Sequence, residues 1–341
     1  MLTAALLFSP LSAMLIDAPS PQIIAHRGAS GERPEHTRAA YELAIEQGAD
    51  IIEPDLVMTR DGHLIVRHEN EIGGTTDVAH RPEFAARHTT KTIDGVQITG
   101  WFTEDFTLDE LLTLKARERL AQLRPNSAAY DGTLDLLTLD QVIDIAESAS
   151  QRLGRTIGVT PEIKHPAHFH ALGLDIEEAL ITVLEEHQLA GPDAPILIQC
   201  FEVGPLQRLA RRLDTPLVQL MALEGGPADR PDLTYAQMAT PEGLANIASY
   251  AQTISVETGM ILPRDTAGAS LPATRLITHA HRTGLEVVVW TLRAENQFLP
   301  LEHRSSADLA EHGDMVGYAK RFQDLGVDAV FTDFPSLLRP E

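Results

Sequence analysis

The chain has 341 residues, 43% hydrophobic and 22% charged, a balance that suits one large domain with a sizeable core. Its formal net charge of −22 excludes general affinity for nucleic acid or anionic membrane, so an anionic ligand needs local cations, helix N-termini or a metal. The single cysteine, Cys200, excludes an intrachain disulfide and a cysteine-rich zinc site, and within the apolar run 195–201 it reads as a buried small hydrophobe.

Residues 2–16 are apolar with small residues, like the core of a signal peptide, although no Lys or Arg precedes them. Residues 1–21 are therefore expected to be an export segment, with a periplasmic or secreted destination and a cytoplasmic one as the alternative. The run is too short and interrupted to read as a transmembrane span, so no stable membrane insertion of the mature chain is expected. The sequence gives no reading of oligomeric state.

From residue 22 onward, short apolar runs alternate with amphipathic helical runs, the pattern of βα units on a parallel sheet. Residues 23–25 form the first expected strand, ending at His26. Thr37 caps a helix that runs to Glu46 and closes at Gly48. Further strands are expected at 50–57, 157–163, 196–200, 217–221, 253–256, 287–291 and 328–332, with helices at 273–282 and 315–325. Eight strands without a dinucleotide fingerprint point to a (β/α)8 barrel over an open doubly wound sheet.

Residues 58–68 depart from the alternation. Asp61-Gly62 between two alternating runs is the signal for a two-residue hairpin turn. With Arg60 opposite His63, Asp55 would lie opposite His68, at cross-strand distance. Residues from about 70 to 136 then read as an insertion after the second barrel strand and its hairpin, of the kind that acts as a lid or specificity element. Thr107 with Glu110 and Thr138 with Gln141 each match a capping box.

Titratable residues fall at strand ends with a spacing of two. Glu53 and Asp55 share one strand face across Pro54, and Glu162 and Lys164 repeat the pattern across Ile163. Two inward carboxylates repel and call for a cation, so Glu53, Asp55 and Glu162 form a candidate site for one divalent ion, Ca2+ or Mg2+ rather than Zn2+. His26 and His68 beside that cluster suit an acid/base pair, because imidazole titrates near neutral pH. Arg27 and Lys164 supply the positive charge that a phosphoryl oxygen needs. Among the histidines of 164–170, His165 and His168 read as part of a mobile loop, and His170 is set against the substrate. Trp290 reads equally as a pocket wall or as barrel packing. Gly28 and Gly31 are too few for a dinucleotide or P-loop fingerprint, and there is no HExxH or GxSxG.

The run Ile24-Ala25-His26-Arg27-Gly28-Ala29-Ser30-Gly31-Glu32-Arg33-Pro34-Glu35-His36-Thr37 resembles the opening signature of the glycerophosphodiester phosphodiesterase family. The similarity continues through Glu53-Pro54-Asp55, Thr59-Arg60-Asp61-Gly62 and His68, and resumes at Pro161-Glu162-Ile163-Lys164, Gln199-Cys200-Phe201, Trp290-Thr291 and Phe331-Thr332-Asp333-Phe334-Pro335. The stretch 101–110 is similar to the longer bacterial periplasmic branch of that family. The resemblance implies a TIM barrel in which Glu53, Asp55 and Glu162 hold one divalent cation, His26 and His68 act as acid and base, and Arg27 and Lys164 bind phosphate. It implies hydrolysis of glycerophosphodiesters, the small-molecule substrates, to glycerol 3-phosphate and an alcohol. Glu69 replaces the Asp that many relatives carry after the histidine, a change expected to matter little. Release of a cyclic phosphate, and a binding role without catalysis, are the alternatives.

Overall fold

The computed structural model describes residues 21–339, so all but Pro21 of the expected export segment lies outside the described residues. The barrel strands, in chain order, are β1 (Gln22–His26), β2 (Ile51–Glu53), β3 (Asp55–Met58) and the hairpin arm β4 (Leu64–Val66). A separate hairpin, β5 (Thr89–Ile93) with β6 (Val96–Gly100), stands apart from the main sheet. Then follow β7 (Gly158–Val159), β8 (Glu162–Ile163), β9 (Ile198–Cys200), β10 (Leu217–Met221), β11 (Thr253–Glu257), β12 (Glu286–Leu292) and β13 (Ala329–Thr332).

The expected second and third strands each appear in two pieces, for a local reason. Pro54 has no N–H to give a ladder, and Pro161 interrupts the third strand in the same way. Yet Ile51 pairs with Gly158 and Asp55 with Glu162 at one common offset, and Thr160 N and Glu162 N still donate to the carbonyls of Ile52 and Pro54. Each broken pair is therefore one strand. The parallel ladder runs from β1 through β2 and β3, β7 and β8, then β9 to β13, and β13 pairs back onto β1. This is a TIM-barrel-like sheet, with helices such as Arg38–Glu46, Leu139–Leu153 and Met315–Leu325 between the strands. The capping boxes at Thr107 and Thr138 both form, although the helix after Thr107 is a single turn, Leu108–Leu111.

Strand alternation sorts the side chains into two cores. Ile24, Ile51, Leu197, Val218, Val288, Ala329 and Phe331 pack together as one buried cluster, while a larger cluster lies between the strands and the surrounding helices. Two residues further along the same strand faces stand His26, Glu53, Trp290 and Asp333. The apolar layer is thus the floor on which the polar site stands. Burying such a layer stabilises by roughly 25 cal/mol per Å2 of apolar surface, which helps offset the desolvation of the charges above it.

The hairpin differs from its expected form. Leu56 pairs with Val66 and Met58 with Leu64, and Thr59 N donates to the carbonyl of His63. The turn is three residues, Arg60 to Gly62, with Gly62 at φ +85 supplying the left-handed position that such a turn requires. One residue of slip moves every partner, so Arg67, not His68, is opposite Asp55, its N–H donating to the Asp55 carbonyl at 3.0 Å. Cys200 is buried as expected, its thiol 3.5 Å from the Ile163 carbonyl.

Candidate active site

A cavity of about 550 Å3 opens at the C-terminal ends of the strands. His26, Arg27, Glu53, His68, Glu162, Lys164 and Trp290 line it, together with Glu69, His165, Phe201, Tyr235, Arg293 and Phe331. The sequence assignments therefore converge on one place, with two exceptions treated below.

Each group arrives through a local feature of the chain. His26 ends β1, and Arg27 follows at φ +61, a left-handed turn that aims its N–H at Glu53 Oε2 at 2.8 Å. Gly28 continues the turn at φ +83, and a Cβ there would lie 2.6 Å from the Ala40 carbonyl carbon. Only glycine lets the chain pass so close to the helix Arg38–Glu46. Glu53 and Asp55 point the same way from one strand, and Glu162 comes from the neighbouring strand opposite Asp55.

One carboxylate oxygen from each of Glu53, Asp55 and Glu162 lies within 4.8 Å of the others, and all three residues are buried. Lys164 Nζ pairs with Asp55 Oδ1 at 3.1 Å and with Glu162 Oε1 at 2.6 Å. Arg27 Nε lies 3.2 Å from Asp55 Oδ2. Burial and the neighbouring Asp55 charge push the Glu53 carboxyl well above its usual range, and burial pushes Glu162 up to about 8. Burial opposes the charge on Asp55 too, yet Lys164, His68 and Arg27 hold it well below. Such a set, three hard oxygen donors crowded together so that each opposes the charge of the others, fits one divalent cation. Asp55 is not itself a lining residue. It is fastened from behind by His36, whose Nε2 donates to Oδ2 at 2.9 Å while Nδ1 faces the Tyr41 hydroxyl at 2.8 Å.

The two catalytic candidates each have a carboxylate partner. His26 Nδ1 is 2.6 Å from Asp333 Oδ1, and His68 Nδ1 is 2.5 Å from Glu69 Oε1. Glu69 thus engages His68 directly, a role not expected of that position. Burial, with Arg27 beside it, lowers the His26 imidazole to about 4. Burial, Arg27 and Lys164 lower His68 to about 3. Both rings are therefore neutral at pH 7, with Nδ1–H given to a carboxylate and Nε2 left for chemistry. Trp290 is both of the things expected of it, a pocket wall and a packing group: its ring meets Phe201 edge-on at 5.8 Å. Its Nε1 is buried without a hydrogen-bond partner.

Two sequence readings are corrected. His170 does not line the cavity; it sits on the helix Pro166–Ala171 with its Nε2 2.5 Å from Glu177 Oε2, because helical spacing turns it away from the mouth. His168 lies on that helix and His165 is its N-cap, rather than both lying in a loop. His165 Nδ1 pairs with Asp94 Oδ2 at 2.6 Å at the cavity edge, and His168 Nε2 pairs with Glu104 Oε1 at 3.0 Å. Sequence reasoning missed Glu35, His36, Arg119, Arg124, Arg293 and Asp333. Asp333 could have been found, since it stands two residues after Phe331 at the end of the last strand. Arg119 and Arg124 carry no local signal at all.

Two lining carboxylates with a third, Asp55, beside them, two cations and two neutral imidazoles at the C-terminal end of a parallel barrel-like sheet make an enzyme site for a small anionic substrate. The chain belongs to the glycerophosphoryl diester phosphodiesterase family, whose profile matches residues 26–337. It is 35% identical to a glycerophosphodiester phosphodiesterase of Arabidopsis thaliana, GDPD6, over 93% of this chain and 85% of that protein. It is 29% identical to the glycerophosphodiester phosphodiesterase of Haemophilus influenzae over 92% and 87%. Among solved structures it resembles a putative glycerophosphoryl diester phosphodiesterase from Silicibacter pomeroyi, with a TM-score of 0.67, 21% identity and coverage of 96% and 95%. It also resembles an Oleispira antarctica phosphodiesterase in complex with the product sn-glycerol-3-phosphate, with a TM-score of 0.60, 19% identity and coverage of 94% and 95%.

Proposed function

We propose that the chain hydrolyses glycerophosphodiesters to glycerol 3-phosphate and an alcohol, in a reaction that depends on one divalent cation and on proton transfer by His26 and His68. The observation that carries this reading is the convergence of both neutral imidazoles on the cavity that Glu53 and Glu162 line, with an Asp55 carboxylate oxygen within 4.8 Å of theirs.

Ca2+ or Mg2+ held by those three carboxylates would supply electrophilic stabilisation of the phosphoryl oxygens. The chain's own groups do the rest. Arg27 and Lys164 set two fixed positive charges at the same wall and favour the phosphate over a neutral group. In the ligand-free site both imidazoles are bases, so either Nε2 is ready to take the proton of the attacking hydroxyl. A bound phosphodiester anion beside Nε2 raises the affinity of the other ring for a proton, which that ring then gives to the leaving alkoxide. The apolar wall of Phe201, Trp290, Tyr235 and Phe331 excludes water from the glycerol and strengthens these charges.

The segment from about 70 to 136 acts as an insertion at the barrel mouth, a reading supported by Asp94, at the tip of the β5–β6 hairpin, lying at the cavity edge. The apolar run 2–16 supports export, which fractionation of the expressing cell would check. Among the described residues no helix is long and apolar enough to cross a membrane.

The test is glycerol 3-phosphate release from glycerophosphocholine in a coupled assay, with EDTA and then with added Ca2+ or Mg2+. Loss with EDTA and recovery with one ion is the expected result. Turnover that EDTA leaves untouched would overturn the metal role, and consumption without glycerol 3-phosphate would overturn the hydrolytic one.

A further inference from the structure

The two histidines reach the cavity from places far apart in the chain, yet their carboxylate partners are held by one short segment. Arg119 makes a two-pronged contact with Glu69, the partner of His68, with Nη1 to Oε1 at 2.8 Å and Nη2 to Oε2 at 2.6 Å. The other edge of the same guanidinium grips Glu35, at 2.9 and 2.7 Å. Five residues on, Arg124 Nη2 lies 2.6 Å from Oδ2 of Asp333, the partner of His26. Its Nε lies 2.6 Å from Glu295 Oε1, and its Nη1 donates to the Ser30 carbonyl at 2.9 Å.

In a chain of net charge −22, a half-buried and a buried arginine beside an active site invite assignment to the phosphate. The geometry favours another role. Every guanidinium nitrogen of both residues is already engaged, and neither side chain lines the substrate cavity. Both touch only a small void behind His26 and Arg27. The segment itself is firmly seated, with Arg117 N donating to the Thr75 carbonyl, Glu118 N to Asp131, and Ser127 Oγ to Glu118.

We propose that Arg119 and Arg124 are positioning residues that hold Glu69 and Asp333 and, through them, fix the rings of His68 and His26. A carboxylate that accepts Nδ1–H selects the tautomer and the ring angle only as well as it is itself held. A planar, five-donor guanidinium holds a carboxylate in both distance and plane, which a lysine cannot do. Placing both clamps within one turn of chain ties the two proton-transfer groups to a single rigid body. The proposal rests on the reading that His26 and His68 perform the proton transfers.

The test is steady-state kinetics of Arg119→Gln and Arg124→Gln, with Arg117→Gln on the same segment as a control. We expect kcat to fall about 100-fold with KM little changed in the first two, since misplacing a reacting group by about 1 Å costs that much. Arg117 pairs with Asp131, and its replacement is expected to leave both parameters unchanged. If Arg119 acts through Glu69, then Arg119→Gln costs far less in a Glu69→Gln background. Wild-type kcat in both variants, a fall that merely tracks lost folded fraction, or full additivity with Glu69→Gln would each overturn the proposal. A substrate-independent reading comes from 15N spectra of the histidine rings. Both His26 and His68 are expected as neutral Nδ1–H tautomers, and Arg124→Gln and Arg119→Gln are expected to broaden or convert the His26 and His68 signals respectively. Unchanged ring signals in both variants overturn the clamp even if no diester is turned over, an outcome that would separately overturn the reaction.

Discussion

His36 Nε2 donates to Asp55 Oδ2 at 2.9 Å, and both residues are fully enclosed. Burial lowers the His36 imidazole to about 4, so it is neutral and donates from a fixed tautomer. Asp55 therefore keeps Oδ1 for the cavity side, where Lys164 stands. Replacing His36 by Ala removes the close donor to a buried carboxylate oxygen, leaving it Arg27 alone, and opens a cavity beside Tyr41. The expected outcome is a loss of about 2–4 kcal/mol of stability, read by denaturant unfolding. Affinity for the divalent ion should fall about 10–100-fold, read by calorimetric titration.

Removing either imidazole should leave binding largely intact and stop chemistry. For His26→Ala and His68→Ala, kcat is expected to fall about 10²–10⁴-fold with little change in KM, measured by glycerol 3-phosphate release. Near-normal turnover in either variant would remove that histidine from the mechanism.

Glu35 is a buried hub for three guanidinium groups, those of Arg27, Arg67 and Arg119. Burial opposes its charge, but Arg119 and Arg27 hold the carboxyl well below its usual range. A depressed carboxyl contributes stability that is present above its unfolded value of about 4.3 and is lost as pH falls through the folded value. The wild-type protein should therefore lose stability below about pH 5. Glu35→Gln should be less stable at pH 7 by about 3–5 kcal/mol, because three cations lose their counter-charge. Its stability should also fall less steeply with acid, which urea unfolding at several pH values would show. An equal slope in the two proteins would contradict the assignment.

Gly28→Ala should be costly for two independent reasons. The backbone is left-handed at φ +83, and the new Cβ would meet Ala40 backbone at 2.6 Å. Together these are expected to cost at least about 2 kcal/mol, and to displace the neighbouring Arg27, so that activity falls further than folded fraction. Thermal unfolding and activity on the same sample would separate the two.

Trp290 Nε1 is a buried donor with no partner. Trp290→Phe keeps most of the wall and removes the donor. An increase of roughly 2–12-fold in KM, with kcat nearly unchanged, is expected for one lost hydrogen bond to substrate. An unchanged KM would make Trp290 a packing group alone.

Much of this site was legible in the sequence because strand geometry is local. Spacing of two along a strand puts Glu53 with Asp55 and Glu162 with Lys164 on one face, whatever the rest of the chain does. The strand ends at His26 and the caps at Thr37, Thr107 and Thr138 follow from similarly short-range rules. The hairpin register did not, since Asp61-Gly62 is compatible with a turn of two residues or three, and only packing on both arms chooses. His170 failed for a related reason: the sequence showed a histidine-rich stretch but not that it would wind into a helix and leave only His165 of the three at the cavity.

The sequence by itself determined the barrel-type strand order and the family, because each depends on residues close together in the chain or on the order of elements. Tertiary structure alone decided which groups support the site. Asp333 meets His26 across 307 positions, and Arg119 meets Glu35 across 84. No periodicity encodes such pairs. They exist because barrel closure brings the last strand beside the first, and because the segment after the hairpin folds back over the mouth, where burial makes every unpaired charge find a partner.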